Sequence, residues 1–126
     1  MPIEVARTMP ASPAAAWRVL TDTRMWVRWG PSIAAVDADP PVIGPGHVGR
    51  LRTPVGIWLP FEVTTYVAGA SWGWRVAGVP ATGHRVEPTA EGCRIVFEVP
   101  WAAAPYVAVC RVALHRLASL LAEADG

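Results

Sequence analysis

The longest regular pattern of apolar positions lies at the C-terminal end. Across residues 105–124, Tyr106, Val109, Cys110, Ala113, Leu117, Leu120 and Leu121 recur at steps of three and four, which places them on one face of an α-helix. Arg111, His115, Ser119 and Ala122 follow the opposite face. A single amphipathic helix must bury its stripe against something, and upstream the pattern predicts mostly strands. Residues 3–8 alternate apolar and polar as a half-buried strand does. Ser12-Pro13 is a helix N-cap with proline in the first turn. A short helix over 14–20 follows, and Asp22 caps a second over 23–29, which Gly30-Pro31 ends.

Six strands come next, over 32–39, 47–55, 57–67, 71–77, 82–88 and 93–99, separated by glycine- and proline-rich turns. Alternation assigns their faces. Cys93, Ile95, Phe97 and Val99 share the inner side of the last strand, with Arg94 and Glu98 outside. Thr82, His84 and Val86 point inward where Arg85 and Glu87 pair outside. Trp72, Trp74 and Val76 face in, as do Leu59, Phe61, Val63 and Thr65, leaving Tyr66 out; Leu51 and Thr53 are inward in the strand before. A bulge at Pro54 or Pro60 would invert part of this. The fold expected is α+β: one domain, 1–126, in which a curved antiparallel sheet wraps around the long C-terminal helix, with an apolar cavity between them.

Composition narrows the chemistry. The 126 residues are 52% hydrophobic with a formal charge of +1, which offers no electrostatic footprint for nucleic acid. The chain has no lysine, asparagine or glutamine, so no lysine Schiff base can form and no side-chain amide can grip a ligand. No signal-peptide pattern or uninterrupted spanning run is apparent. A cytoplasmic protein without membrane insertion, monomeric or homodimeric, is expected, with Cys93 and Cys110 as free thiols.

The segment Ser12-Pro13-Ala14-Ala15-Ala16-Trp17-Arg18-Val19-Leu20-Thr21-Asp22, with Trp26 and Trp29 after it, resembles the opening of the SRPBCC superfamily. That group holds START-like lipid carriers, polyketide cyclase/dehydrase-like proteins and relatives of the birch-pollen allergen. The loop Gly44-Pro45-Gly46 and the run Phe61-Glu62-Val63-Thr64 fit it as well. The resemblance implies a helix-grip fold with a deep apolar cavity. The chain is shorter than usual for the group, which implies a cavity that is smaller or more open near 100–105.

Candidate chemistry follows the inward faces. Gly44-Pro45-Gly46-His47-Val48-Gly49 satisfies G-x-G-x-x-G, but a strand follows it where dinucleotide binding requires a helix; it reads as a hairpin loop. Trp72 and Trp74 form an aromatic wall, and Trp26 and Trp29 line its mouth. Phe61, Thr82, His84, Phe97, Tyr106, Val109 and Cys110 complete the expected ligand-binding set. His84 and Tyr106 are the candidate acid/base pair. The histidines are far apart in sequence with no acid at ligand spacing, so no metal site is expected and no cofactor. The first expectation is binding of a small hydrophobic molecule, a lipid or aromatic polyketide. The alternative is a polyketide cyclase, aromatase or dehydratase that uses His84. A third, a partner-binding module, rests on Trp58.

Overall fold

The computed structural model describes residues 2–125. Seven strands form one antiparallel sheet: β1 (Ile3–Met9), β2 (Ala35–Asp37), β3 (Val48–Arg52), β4 (Trp58–Val67), β5 (Ser71–Val76), β6 (Val79–Thr89) and β7 (Gly92–Val99). Their spatial order is β1-β7-β6-β5-β4-β3-β2. Helices α1 (Pro13–Thr21) and α2 (Thr23–Trp29) follow β1, and α3 (Val107–Asp125) closes the chain. This is the helix-grip arrangement expected.

The caps form as the sequence predicts. Ser12 Oγ accepts from the Ala15 N–H at 3.1 Å, and Asp22 Oδ1 accepts from the Arg24 N–H at 3.0 Å. The break between the two helices is held from inside. The Trp26 indole N–H donates to the Leu20 carbonyl at 2.9 Å, and the Trp29 indole N–H to the Val19 carbonyl at 3.1 Å. Two carbonyls at the end of α1, which lack intrahelical partners by geometry, are thereby satisfied by the ring edges of α2.

Helix α3 begins later than its apolar stripe. Residues Trp101–Tyr106 form a 3-10 segment containing Pro105, with Ala103 outside helical geometry. Cys110, Ala113, Leu114, Leu117 and Leu121 are the buried face of α3; Leu114 joins the expected stripe, and Leu120 sits at its half-buried margin. The span Trp101–Glu123 is long and apolar enough to cross a bilayer by length and composition, and its buried face belongs to the core cluster with the sheet.

Strand parity holds on β5, β6 and β7 and fails at one place on β4. The register passes from Val63 opposite Trp74 to Thr65 opposite Gly73. The extra residue, Thr64, is a bulge, and it reverses the faces beyond it. Thr65 is exposed rather than inward, and Tyr66 turns in to meet Trp17 edge-on at 5.7 Å.

On the outer face Arg85 bridges Glu4 at 3.0 Å and Glu87 at 2.9 Å, and Arg94 reaches Glu87 at 2.7 Å. Val96, fully buried, shares this face with the ion-paired arginines. The pairs are partly solvated, so each adds little stability alone; their stems also cover apolar surface.

At the β6–β7 turn, Gly92 (φ 156°) leaves no room for a side chain: a Cβ would stand 2.3 Å from the Met9 carbonyl oxygen. Gly92→Ala is expected to cost more than about 1 kcal/mol in urea unfolding. A neutral result would show that β1 can shift away from the turn.

Because every neighbouring pair is antiparallel, the ends of the sheet can be told apart. The β3–β4 and β5–β6 hairpin tips and the exit of β7 at Pro100 emerge together at one end. The β4–β5 and β6–β7 turns lie at the other.

Candidate functional site

The interior between sheet and helices is occupied mainly by aromatic rings. Trp26 stacks on Trp72 at 5.4 Å and 7°, and the His84 ring also stacks on Trp72, at 4.0 Å and 24°. Trp74 and Phe61 meet Trp26 at 5.2 and 5.4 Å. Phe97 stands edge-on to His84 at 4.9 Å, with Trp29 beside it at 5.8 Å. Offset and edge contacts at these separations are favourable beyond the area they bury.

A directed hydrogen-bond chain runs through this cluster. The Trp72 carbonyl can only accept, so His84 Nδ1 carries the proton and donates to it at 3.3 Å. Nε2 is then an acceptor and takes the Thr82 hydroxyl proton at 3.0 Å. Thr82 Oγ1 in turn accepts from the Trp74 indole N–H at 3.2 Å. Both ring nitrogens are used. Burial pushes the His84 imidazole down to about 3, against a small opposing effect of the Trp72 carbonyl. His84 is thus a neutral, internally satisfied group that fixes the tilt of Trp74 through Thr82.

Trp74 matters because it is one wall of an apolar cavity. A space of about 230 Å³ lies between the α2–β2 connection, the strand ends and the 3-10 segment, lined by Ser32, Ile33, Leu51, Thr53, Leu59, Trp74, Val76, Ala81 and Tyr106. It sits at the end of the sheet where the two hairpin tips and Pro100 emerge. The tips around it are apolar: Val55 is 81% exposed, and Trp101 73%.

Three hydroxyls supply its polarity. Ser32 Oγ and the Tyr106 hydroxyl are hydrogen-bonded at 2.5 Å. Burial raises the Tyr106 phenol above its ordinary range, with the Ser32 contact opposing; it is a neutral hydroxyl. Thr53 Oγ1 accepts from the Ile57 N–H at 3.3 Å.

Of the side chains expected at the ligand, the structure brings Trp74 and Tyr106 to the cavity. Trp26, Trp29, Phe61, Trp72, Thr82, His84 and Phe97 are packed against one another and behind it. Cys110 is buried under α3 and Val109 half-buried; neither reaches the lining. Burial holds the Cys110 thiol up near about 11 and raises Cys93 as well, so both are protonated, weakly reactive core groups. Trp58 is not free-standing: the Arg50 guanidinium lies 4.9 Å over its ring.

Leu51, Thr53, Leu59 and Val76 were legible as inward positions but carried no mark of ligand contact. Ala81 lies next to the register shift between Gly73 and Arg75, which alternation cannot foresee. Ser32 meets a partner 74 residues away, and no local signal announces that.

The architecture and its cavity define a helix-grip protein. Residues 2–122 match the family described as polyketide cyclase/dehydrase and lipid transport, and the chain belongs to that family. No curated protein matches the sequence. Among solved structures, a protein of Mesorhizobium loti is similar at a TM-score of 0.79 and 17% identity, over 98% of both chains. A protein of Nitrosomonas europaea is similar at 0.74 and 17%, over 99% of this chain and 96% of that one. DynU16, from the dynemicin biosynthetic locus, is similar at 0.71 and 21%, over 95% of this chain and 46% of that one. At these identities the likeness speaks for the fold.

Proposed function

We propose that the protein binds a small apolar molecule, of aromatic polyketide-fragment or short-lipid size, in the cavity at the open end of the sheet. One observation carries this reading: an apolar space of about 230 Å³ that opens between uncharged hairpin tips while the rest of the interior is packed with rings. Pockets for drug-sized ligands run from about 300 to 1,000 Å³, so the size favours one or two rings or a short acyl chain over a tetracyclic polyketide or a two-chain lipid. Apolar contact supplies the affinity, and the hydroxyls supply orientation.

A cyclase or dehydratase reading needs a proton-transfer group at the ligand. His84 is poorly suited, since both its nitrogens are engaged and it stands behind Trp74. The polar side-chain groups that reach the cavity are the hydroxyls of Ser32, Thr53 and Tyr106, and of these the Tyr106 phenol is the most acidic and would have to serve as the proton donor. Binding without turnover is therefore the preferred reading.

Naphthalene-sized neutral compounds should bind saturably, one per chain, in calorimetric titration, and shift the Trp74 indole N–H resonance. Ala81→Phe, which places a ring in the cavity, should weaken binding at least tenfold with the fold retained. Absence of saturable binding across a broad set of one- and two-ring compounds would refute the proposal.

A further inference from the structure

The cavity's polar atoms have a restricted chemistry. The Ser32–Tyr106 pair holds two hydroxyl protons and spends one between the two oxygens. The second is left without an acceptor among the described residues. Thr53 accepts from Ile57 N–H, and its own proton is likewise unspent among them. The lining contains neither a carboxylate nor a cation. The approach repeats this: residues 53–61, 76–84 and 99–110, which carry the hairpin tips and the exit of β7, contain no Asp, Glu, Lys or Arg.

From the spare hydroxyl donors in an uncharged cavity, we infer that the ligand is an uncharged molecule bearing an acceptor oxygen, a ketone or related carbonyl compound, held by the Ser32–Tyr106 hydroxyl pair. This inference rests on the binding reading above and specifies the class of molecule it takes. A ligand carbonyl satisfies the spare proton. A pure hydrocarbon leaves it unsatisfied. A carboxylate would give up its hydration with no positive charge to meet it, which is costly. A protonated amine would meet no carboxylate. The two oxygens belong to two separate segments, the α2–β2 connection and the 3-10 segment before α3, that meet at this hydrogen bond, so a carbonyl at their junction is held at a fixed place while the rest of the molecule lies against Trp74.

The test compares three molecules of matched size, 1-tetralone, tetralin and 1-naphthoate, by calorimetric titration of the wild-type protein and of the Ser32→Ala/Tyr106→Phe double variant. The ketone should bind wild type about fivefold more tightly than the hydrocarbon, the ratio expected for one net hydrogen bond. The carboxylate should bind at least tenfold more weakly than the ketone. In the double variant the ketone should fall to the hydrocarbon's affinity while the hydrocarbon is unchanged. Equal affinities for ketone and hydrocarbon in wild type, or a carboxylate that binds as well as the ketone, would overturn the inference while leaving the cavity a binding site. Because the carboxylate arm uses wild type alone, the answer does not depend on the variant folding. Failure of all three to bind overturns both the inference and the reading beneath it.

Discussion

Trp26→Ala is expected to lower folding stability by about 4 kcal/mol or more, within or above the range for buried aromatic truncations. Trp26 is fully buried and touches three other rings: Trp72 at 5.4 Å, Trp74 at 5.2 Å and Phe61 at 5.4 Å. Close-packed rings cannot relax into the space of a missing indole, so a cavity remains. The substitution also strips the Leu20 carbonyl of its indole donor, which adds the cost of an unsatisfied buried acceptor. Domains of this size are stable by only about 5 to 15 kcal/mol, so a large share of the total is lost. Urea unfolding of wild type against the variant measures it. A loss below about 2 kcal/mol would mean that the ring stack is not what holds α2 to the sheet. Trp26→Phe, which keeps most of the ring contacts and loses the N–H, should cost less.

The second large effect is a loss of stability in mild acid that traces to one residue. An ordinary histidine titrates near 6.5, and the folded environment of His84 brings it to about 3. Between those values the unfolded chain binds a proton there and the folded chain does not. Stability therefore rises with pH across that window and falls as the solution is acidified below 6.5. The slope approaches about 1.4 kcal/mol per pH unit once the unfolded histidine is fully protonated. The ring's neighbours are Trp29, Trp72, Trp74, Phe97 and Thr82, so no carboxylate among them offsets the charge, and the Trp72 carbonyl opposes the shift only in part. The Asp22 and Glu87 carboxyls, held low by hydrogen bonds from Arg24 and Arg85, add acid sensitivity of their own at lower pH. His84→Phe separates the contributions. It should cost about 1–3 kcal/mol at pH 7, because the Thr82 hydroxyl and the Trp72 carbonyl each lose a partner. It should also flatten the profile between pH 6 and 4. An unchanged slope in that variant would show that His84 is protonated in the folded state.

Legibility divided along a physical line. The strands, the two short helices and their caps could be read from local pattern, because alternation, capping side chains and turn residues act within a few positions. Alternation told which face a ring occupied but not how deep it lay. Trp72 and His84 were correctly placed inside, yet inside meant packed against Trp26 and Phe97 rather than open to a ligand. Whether rings line a space or fill it depends on the volumes of residues from four separate elements. Tyr66 and Thr65 exchanged faces for one reason, the bulge at Thr64, and neither flanking proline marked it. The Ser32–Tyr106 contact joins a loop to a helix entrance across most of the chain, and Pro105 shifted the start of that helix by two residues.

The pairing of β1 with β7 has a bearing on how the chain is made. Ile3 lies opposite Val99, and Met9 opposite Cys93. The strand of this sheet that comes first in chain order must therefore wait for the last before it has a neighbour. Hairpins from β3 to β7 can assemble from near contacts as they emerge. Residues 3–9 pair only when nearly the whole sheet is available. Such long-range closure is slow relative to hairpin formation, and until it occurs β7 presents an open edge to other nascent chains. The N-terminal strand serves as the clasp of the molecule, and a chain stalled before residue 92 should remain unclasped and prone to aggregate.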